Sequence, residues 1–272
     1  MSQTVPVSVV VPCYRCSLTL ERAVESVAAQ SSLPAELILV DDFSNDETVK
    51  LLEALAARHA PGWIRIKCLG QNVGAGSARN VGWEAATQPF VAFLDADDAW
   101  HAEKLAIQYA YMLAHPDVAL CGHDHRLLTQ DTALNWKVAE ARATKITKWP
   151  MLLSNKFVTP SVMVRRDVRQ RFVENQRHME DHMLWLQVLM DGGGVAKLDS
   201  ELAAIYKEPF GARGLSAQIW LMERGELGNY RRLFAAGFIK SHEFAMLCVY
   251  SLVKYVRRFV IYAAYLRWNK RP

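Results

Sequence analysis

In the sequence Pro89-Phe90-Val91-Ala92-Phe93-Leu94-Asp95-Ala96-Asp97-Asp98, an apolar run passes directly into a segment with three acidic residues, and this indicates the fold class. A short apolar run of this kind is typical of a buried strand. Open α/β sheets bind their ligands beyond the carboxyl ends of such strands. Because hard divalent cations prefer oxygen ligands, the three carboxylates predict a site for metal and phosphate at this end of the sheet.

Three further apolar runs precede this one and alternate with helical patterns. Strands are predicted at 7–11, 36–40, 63–69 and 89–94, and helices at 18–30, at 45–58 and from Gly74 onwards. Ser44 or Asn45 is the expected N-cap of the second helix. The alternation predicts right-handed crossovers and a mostly parallel sheet. We therefore expect an α/β fold of three α/β/α layers, in which helices cover both faces of the sheet.

Two other acidic pairs stand at predicted element boundaries. Asp41-Asp42 follows the second strand, and Glu180-Asp181 precedes an apolar helical run at 183–189. Acids are also favourable at helix starts, so capping is the structural alternative for both pairs. Three acids after a fully apolar strand exceed the needs of one helix cap, and this favours a functional role for 95–98.

Length and composition indicate a globular protein. The chain has 272 residues, of which 51% are hydrophobic and 22% charged. We expect a first domain at 1–212, with halves that meet near residue 120, and a helical extension at 213–272. Pro209-Phe210-Gly211 suggests this boundary, because proline and glycine mark loops between regular elements.

The charge is unevenly distributed along the chain. Residues 240–272 carry seven basic side chains and one acidic one, a net +6, which leaves −2 for the first 239 residues out of the total of +4. A nucleic-acid partner is therefore not expected. The odd number of cysteines, five, and an amino terminus unlike a signal peptide favour a reduced, cytoplasmic setting.

Taken together and in order, these motifs resemble family 2 glycosyltransferases with the GT-A fold, of the kind that serves bacterial polysaccharide biosynthesis. The resemblance is carried by the segments 9–14, 36–46, 74–80, 93–98 and 180–181, and it covers about residues 5–210. It implies an inverting transfer of a sugar from a nucleotide-sugar donor, most plausibly a UDP-sugar. The implied acceptor is a saccharide hydroxyl, and a lipid-linked saccharide is common for bacterial members.

The resemblance also implies roles for individual residues. Implied donor contacts are Pro12, Tyr14, Asp41, Asp42, Arg79, Asp95, Ala96 and Asp97. The implied ligands of Mn²⁺ or Mg²⁺ are Asp97, Asp95 and Asp98, and the implied catalytic base is Asp181, supported by Glu180. Phe43 departs from the pattern, because the family usually has glycine there. For Arg79 an ion pair that holds the 95–98 loop is an equal alternative to a contact with phosphate.

The carboxyl-terminal region predicts an amphipathic helix at 240–266. One side carries Lys240, Glu243, Ser251, Lys254, Arg257 and Arg258, opposite Cys248, Val249, Leu252, Val256, Phe259, Val260 and Ala263. The charges exclude a membrane span. A basic helix with Tyr250, Tyr255, Tyr262, Tyr265 and Trp268 suits an anionic membrane through residues 240–271, which would place the protein peripherally on the inner face of the cytoplasmic membrane. Docking on the first domain, or on another subunit of a homo-oligomer, is the alternative.

Two other functions share part of this pattern. A sugar nucleotidyltransferase has a similar sheet, but it would need a glycine-rich loop after the first strand, and Cys13-Tyr14-Arg15-Cys16-Ser17 has no glycine. A catalytically silent carbohydrate-binding or scaffold protein at the membrane is the other alternative. The joint presence of Asp95, Asp97 and Asp181 argues against it.

Overall fold

The computed structural model describes residues 3–128, 134–138, 141–206 and 219–268, with side chains to residue 261. The strands are β1 Gln3–Cys13, β2 Ser32–Asp41, β3 Ile64–Cys68, β4 Phe90–Phe93, β5 Ala99–Trp100, β6 Val118–Leu127, β7 Ala143–Lys145, β8 Met163–Arg165 and β9 Gly194–Ile205. The helices are α1 Leu20–Ala28, α2 Thr48–Arg58, α3 Ala75–Ala85, α4 Lys104–Ala114, α5 Lys148–Leu153, α6 Glu180–Met190, α7 Ile219–Ala235 and α8 Ser241–Trp268.

The strands form a sheet in the order β3-β2-β1-β4-β8-β6-β9-β5, and β7 also pairs with β9. The first four strands are parallel, with Val9 opposite Leu37 on one side and Ala92 on the other. Beyond β4 the sheet is mixed, because β8 runs antiparallel to both of its neighbours, β4 and β6. The predicted α/β class is confirmed, and the parallel pairing predicted from the first half is found in that half.

The core lies in two layers, one on each face of the sheet. Alternate residues of β1 divide between them: Val9 and Val11 pack with α1, α2 and α4, whereas Val10 packs with α3 and α6. This is the alternation that a pleated strand imposes on its side chains. Because both faces are apolar, helices cover both, as the sequence predicts.

The start of α2 differs from the expectation. The helix begins at Thr48, so neither Ser44 nor Asn45 is its N-cap, and that prediction is wrong. The Asp46 carboxylate instead accepts a hydrogen bond of 3.0 Å from the amide of Thr48. Ser44 does not cap the helix; its hydroxyl accepts the amide N–H of Arg15 in the loop after β1.

Helices α7 and α8 form the described part of the carboxyl-terminal extension. The boundary predicted at Pro209–Gly211 falls within 207–218, outside the described residues, so the division at residue 212 stays a prediction. Polar side chains join α8 to the rest: Ser251 donates to Glu223 of α7 at 2.7 Å, and Lys148 of α5 donates to Glu243 of α8 at 2.9 Å. Within the described residues, no helix has the length and apolar character that crossing a membrane requires.

Packing of α3 on the sheet depends on a residue without a side chain. A methyl group on Gly82 would lie 2.3 Å from Cγ1 of Val10, whereas one on Gly228 of α7 would meet only the tip of Arg232 at 3.8 Å. Both glycines are helical, so alanine gains the same helix propensity at each. We expect Gly82→Ala to lower the free energy of unfolding by about 1–3 kcal/mol.

Gly228→Ala is the matched control and should raise the free energy of unfolding by about 0.5–1 kcal/mol. Urea denaturation followed by circular dichroism measures both. Equal stabilisation by the two substitutions would show that α3 does not pack against Val10 as described.

Candidate active site

The candidate site lies where β2, β1 and β4 end side by side. Their carboxyl ends deliver Asp41 and Asp42, then Pro12 and Tyr14, and then the acidic loop at 95–98. These segments are far apart in the sequence, and the parallel order of the three strands brings them to one edge of the sheet.

A pocket of about 290 Å³ opens at this edge. It is lined by Pro12, Cys13, Tyr14, Asp42, Asn72, Gly74, Ala75, Arg177 and Glu180. Tyr14 is 45% exposed, so its ring is accessible to a ligand. Arg177 and Glu180 come from the second half of the chain, which means that both halves contribute to the walls.

Asp42 anchors one wall of this pocket. Its carboxylate accepts hydrogen bonds from the amides of Val73 and Gly74 and from the side-chain amide of Asn72, at 2.7–2.9 Å. Asn72 in turn accepts a hydrogen bond of 2.8 Å from Arg177. Both oxygens of Asp42 therefore have protein partners, and the residue holds the loop that begins α3.

Asp41 is different, although it is equally buried. One carboxylate oxygen accepts the amide N–H of Ser44 at 3.1 Å, and the other, Oδ1, has no hydrogen-bond partner among the described residues. A buried acceptor without a partner costs free energy unless a ligand satisfies it. The predicted contact with a nucleotide base or ribose agrees with this spare acceptor.

Phe43 occupies the turn after Asp42 with φ of 62°, in the left-handed region that favours glycine. This explains why a glycine suits the position in the family that the sequence resembles. In this chain Phe43 adopts the left-handed backbone conformation although it has a side chain, so its backbone is strained.

Arg79 joins the two halves of the site. The residue is 5% exposed; its Nη2 lies 2.5 Å from Oδ1 of Asp95, and its Nη1 lies 3.6 Å from Oε1 of Glu180. Of the two roles weighed for Arg79, the ion pair that holds the acidic loop is the one visible in the structure. A contact with the donor stays a prediction.

The acidic loop brings together the three predicted metal ligands. One carboxylate oxygen from each of Asp95, Asp97 and Asp98 lies within 4.8 Å of the others, and Asp97 is the exposed member. Asp98 is buried and accepts the amide N–H of Tyr206 at 3.2 Å. Hard oxygen ligands at this spacing fit Mg²⁺ or Mn²⁺. Ala96, between them, is buried in the core.

Glu180 and Asp181 begin α6 after Met179, which has the left-handed φ of 57°. Burial, and next the charge of Asp181, raise the pKa of Glu180 to about 7, against a lowering by Arg79. Asp181 is only half-buried; it accepts hydrogen bonds from the side-chain amide of Asn155 at 3.0 Å and from the amide of His182 at 2.6 Å.

Helix α5 connects this acidic pair to the carboxyl-terminal helices. Three successive backbone carbonyls at its end accept hydrogen bonds, each from a different helix. The donors are His182 of α6 to Met151, Tyr230 of α7 to Leu152, and Lys254 of α8 to Leu153. Asn155, which holds Asp181, follows two residues later. Helices α6, α7 and α8 therefore all fix the segment that positions Asp181.

Helix α7 also fixes the loop on the other side of the pair. Asn229 donates to the carbonyl of Met179 at 2.8 Å and accepts from Gln176 at 2.9 Å. Sequence reasoning missed Asn229 and Asn155, as well as Arg177 and Asn72 of the pocket. No motif marks these residues, because each lies in a loop or on a helix whose partner is distant in the sequence.

Comparison with known proteins gives consistent results. The sequence profile of glycosyl transferase family 2 matches residues 8–171. The chain is 31% identical over 186 residues to the UDP-Glc:alpha-D-GlcNAc-diphosphoundecaprenol beta-1,3-glucosyltransferase WfgD of Escherichia coli, with 68% of this chain and 70% of WfgD covered. It is 33% identical over 189 residues to the putative teichuronic acid biosynthesis glycosyltransferase TuaG of Bacillus subtilis, with 68% and 73% covered.

Solved structures show the same fold. The S. aureus protein TarS, residues 1–349 in complex with UDP, superposes with a TM-score of 0.64 at 20% identity, over 90% of this chain and 70% of that one. The mannosyltransferase PcManGT from Pyrobaculum calidifontis, in complex with GDP-Man and Mn²⁺, has a TM-score of 0.68 at 17% identity, over 95% and 75%. The GT-A fold expected from the sequence is confirmed.

The raised pKa of Glu180 predicts a pH dependence of stability. Between the ordinary pKa of 4.5 and about 7, the folded protein keeps a proton that the unfolded chain releases. This contribution to folding is complete below 4.5 and is lost as the pH rises through 7. Glu180→Gln, which mimics the protonated acid, should therefore gain about 1–3 kcal/mol in unfolding free energy relative to wild type between pH 5 and pH 8.

Urea denaturation at the two pH values measures this difference, and Glu53→Gln at an exposed position of α2 is the matched control. If the wild type and Glu180→Gln had the same pH dependence, Glu180 would not hold the proton.

Proposed function

The chain belongs to glycosyl transferase family 2, and on that premise we propose a metal-dependent inverting transfer from a UDP-sugar to a hydroxyl of a saccharide acceptor. One observation carries the proposal: buried Arg79 spans the gap between Asp95 of the acidic loop and Glu180 of the acidic pair. Arg79 thus keeps the acidic loop and the acidic pair, which come from the two halves of the chain, next to each other.

The pocket beside β1 and β2 supports binding of the donor nucleoside. The accessible ring of Tyr14 offers a stacking surface. Asp41, which precedes the pocket residue Asp42, is proposed to accept from a base or ribose N–H or O–H once the nucleoside is bound. Arg177 adds a cation at the rim, held in place by Asn72. UDP is the nucleotide named in the bound complex of TarS and in the name of WfgD.

The acidic loop supports the metal site. Asp97 is proposed as the direct ligand, because it is the exposed member of the three clustered carboxylates. When bound there, Mn²⁺ or Mg²⁺ supplies the positive charge that stabilises a departing diphosphate. Arg79, by holding Asp95, fixes the loop that presents these carboxylates.

Asp181 is proposed as the base that takes the proton of the acceptor hydroxyl. In an inverting reaction the base lies across the sugar from the leaving group. The contact of Arg79 with Glu180 brings the start of α6 near the acidic loop, which supports this role for Asp181. Asp181 is better suited than Glu180, because Glu180 is buried, whereas Asp181 is more accessible and oriented by Asn155. Glu180 is proposed to have a supporting role, because it lies against Arg79 and helps to position it.

The proposed acceptor is a lipid-linked saccharide in bacterial surface-polysaccharide synthesis. The name of WfgD specifies a diphosphoundecaprenol-linked acceptor, and that of TuaG specifies teichuronic acid biosynthesis. An enzyme for such an acceptor works at a membrane surface, and the five cysteines of this chain, all free, suit the reduced cytoplasmic side.

Asp181→Asn tests the base. Because the amide cannot accept the proton while its size is unchanged, we expect a loss in kcat of about 10²–10⁴-fold with UDP affinity retained. Release of UDP in the presence of acceptor, and isothermal titration with UDP, measure the two quantities.

Asp191→Asn at the opposite end of α6 is the matched control, since Asp191 is exposed and remote from the pocket. Normal turnover by Asp181→Asn would exclude Asp181 as the base.

Asp97→Ala tests the metal. We expect Mn²⁺ to raise the thermal stability of the wild type with UDP, since a ligand that binds only the folded state stabilises it. The variant should lose this increment while its stability without Mn²⁺ is unchanged, because Asp97 is exposed.

Asp117→Asn, at an exposed position before β6, is the control. UDP binding that is indifferent to both Mn²⁺ and Asp97→Ala would refute a metal site at the acidic loop.

A further inference from the structure

Helix α8 is attached to the protein by its polar side, and its apolar side faces outwards. Glu243, Leu247 and Ser251 are buried against the rest of the chain, and Lys254 pairs with Glu226 of α7. These residues are spaced for one face of a helix. The opposite face therefore has no partner among the described residues.

The outward face is centred on four valines. Val249, Val253, Val256 and Val260 follow one another at helical spacing and are 57–62% exposed. Exposed apolar residues on either side widen the stripe: Met246, Leu252, Phe259 and Ile261. From Met246 to Ile261 the stripe is about 22 Å long. A continuous exposed apolar surface of this kind marks an interaction site.

Helix α7 extends the surface at both ends. Its exposed Trp220 lies 5.7 Å from the ring of Tyr255, which stacks on Phe259. Its exposed Phe234 stacks on Phe244 at 5.2 Å. Aromatic side chains at the margins of an apolar face are typical of helices that lie at a lipid–water interface.

The exposed charges of α7 and α8 have one sign. The three acidic residues of 219–261, Glu223, Glu226 and Glu243, are all buried and bonded within the protein. The basic residues of the same span are exposed apart from Lys254: Arg224, Arg231, Arg232, Lys240, Arg257 and Arg258. The exposed part of these two helices therefore offers positive charge and apolar area with no acidic side chain.

We propose that the outward face of α7 and α8, defined by the valine stripe and its basic margin, docks on an anionic lipid bilayer with α8 in the plane of the interface. Apolar burial and attraction to anionic headgroups act together in such docking. A second copy of the chain fits less well, because a two-fold contact would bring basic margins together without acidic partners. The inference rests on the proposed lipid-linked acceptor for its purpose, but its evidence is independent of the reaction.

The proposed docking face is connected to the acidic pair through α8 and the end of α5. Lys254 on the inward side of α8 donates to the carbonyl of Leu153, close to Asn155, which holds Asp181. Docking through the valine stripe would therefore place the candidate active site at a fixed height above the lipid surface.

Flotation with phosphatidylcholine vesicles, with and without phosphatidylglycerol, tests the proposal. The wild type should bind the vesicles that contain phosphatidylglycerol. The double variant Val253→Glu/Val256→Glu should bind at least about ten-fold more weakly, because two exposed valines no longer enter the bilayer. Arg257→Ala, one helical turn after Val253, should weaken binding about five-fold on the anionic vesicles only.

Leu113→Glu is the matched control, because Leu113 of α4 is as exposed as Val253 and lies outside α7 and α8. Titration with UDP confirms that each variant is folded. Vesicle binding that Val253→Glu/Val256→Glu leaves intact would overturn the docking surface. So would a wild-type dimer, by light scattering, that the double variant makes monomeric while vesicle binding is absent in both. Loss of transfer with vesicle binding retained would count against the proposed function instead.

Discussion

The structure of the candidate site depends on one buried guanidinium group. Arg79 is enclosed between α3 and the sheet, and a buried charge is tolerated only when it is paired. Its partners, Asp95 and Glu180, come from the two halves of the chain. Asp95 is the hydrogen-bonded partner of Arg79, and Glu180 lies 3.6 Å from its other nitrogen, so the guanidinium keeps the acidic loop at the end of β4 next to the start of α6.

Sequence reasoning identified the parts of the site that lie at strand ends. Asp41, Asp42 and Asp95–Asp98 each follow an apolar strand, so their meeting at one edge follows from parallel order alone. Asn155, which binds Asp181, and Asn229, which binds the carbonyl of Met179, were not predicted, because packing between loops and helices that are distant in the sequence leaves no periodic signal. The parallel half of the sheet was predictable, because helices alternate with its strands. The antiparallel direction of β8 was not, because neither composition nor periodicity gives the direction in which a short strand runs.

The amphipathic pattern of α8 was predicted correctly, but the pattern alone does not say which side of the helix packs on the protein. The sequence separates a polar from an apolar side in 240–266, and usual experience would bury the apolar side. Here Ser251 and Glu243 are buried, with Lys254 half-buried beside them. Ser251 donates to Glu223 of α7, Lys254 donates to the carbonyl of Leu153, and Glu243 accepts from Lys148 of α5. These hydrogen bonds hold the segment that positions Asp181. The valines on the opposite side of α8 stay exposed and are available to an external partner. One helix therefore serves both the positioning of the acidic pair and the proposed attachment to lipid.

The acidic loop and the acidic pair are proposed to form one two-substrate site beside Arg79. X-ray diffraction at the manganese absorption edge, from crystals grown with UDP and Mn²⁺, tests this arrangement. We expect one anomalous peak bonded to Asp97 and to the diphosphate, with the nucleoside in the pocket beside Tyr14 and the open side of the diphosphate towards Asp181. A manganese peak away from the 95–98 loop, or UDP bound outside that pocket, would contradict it.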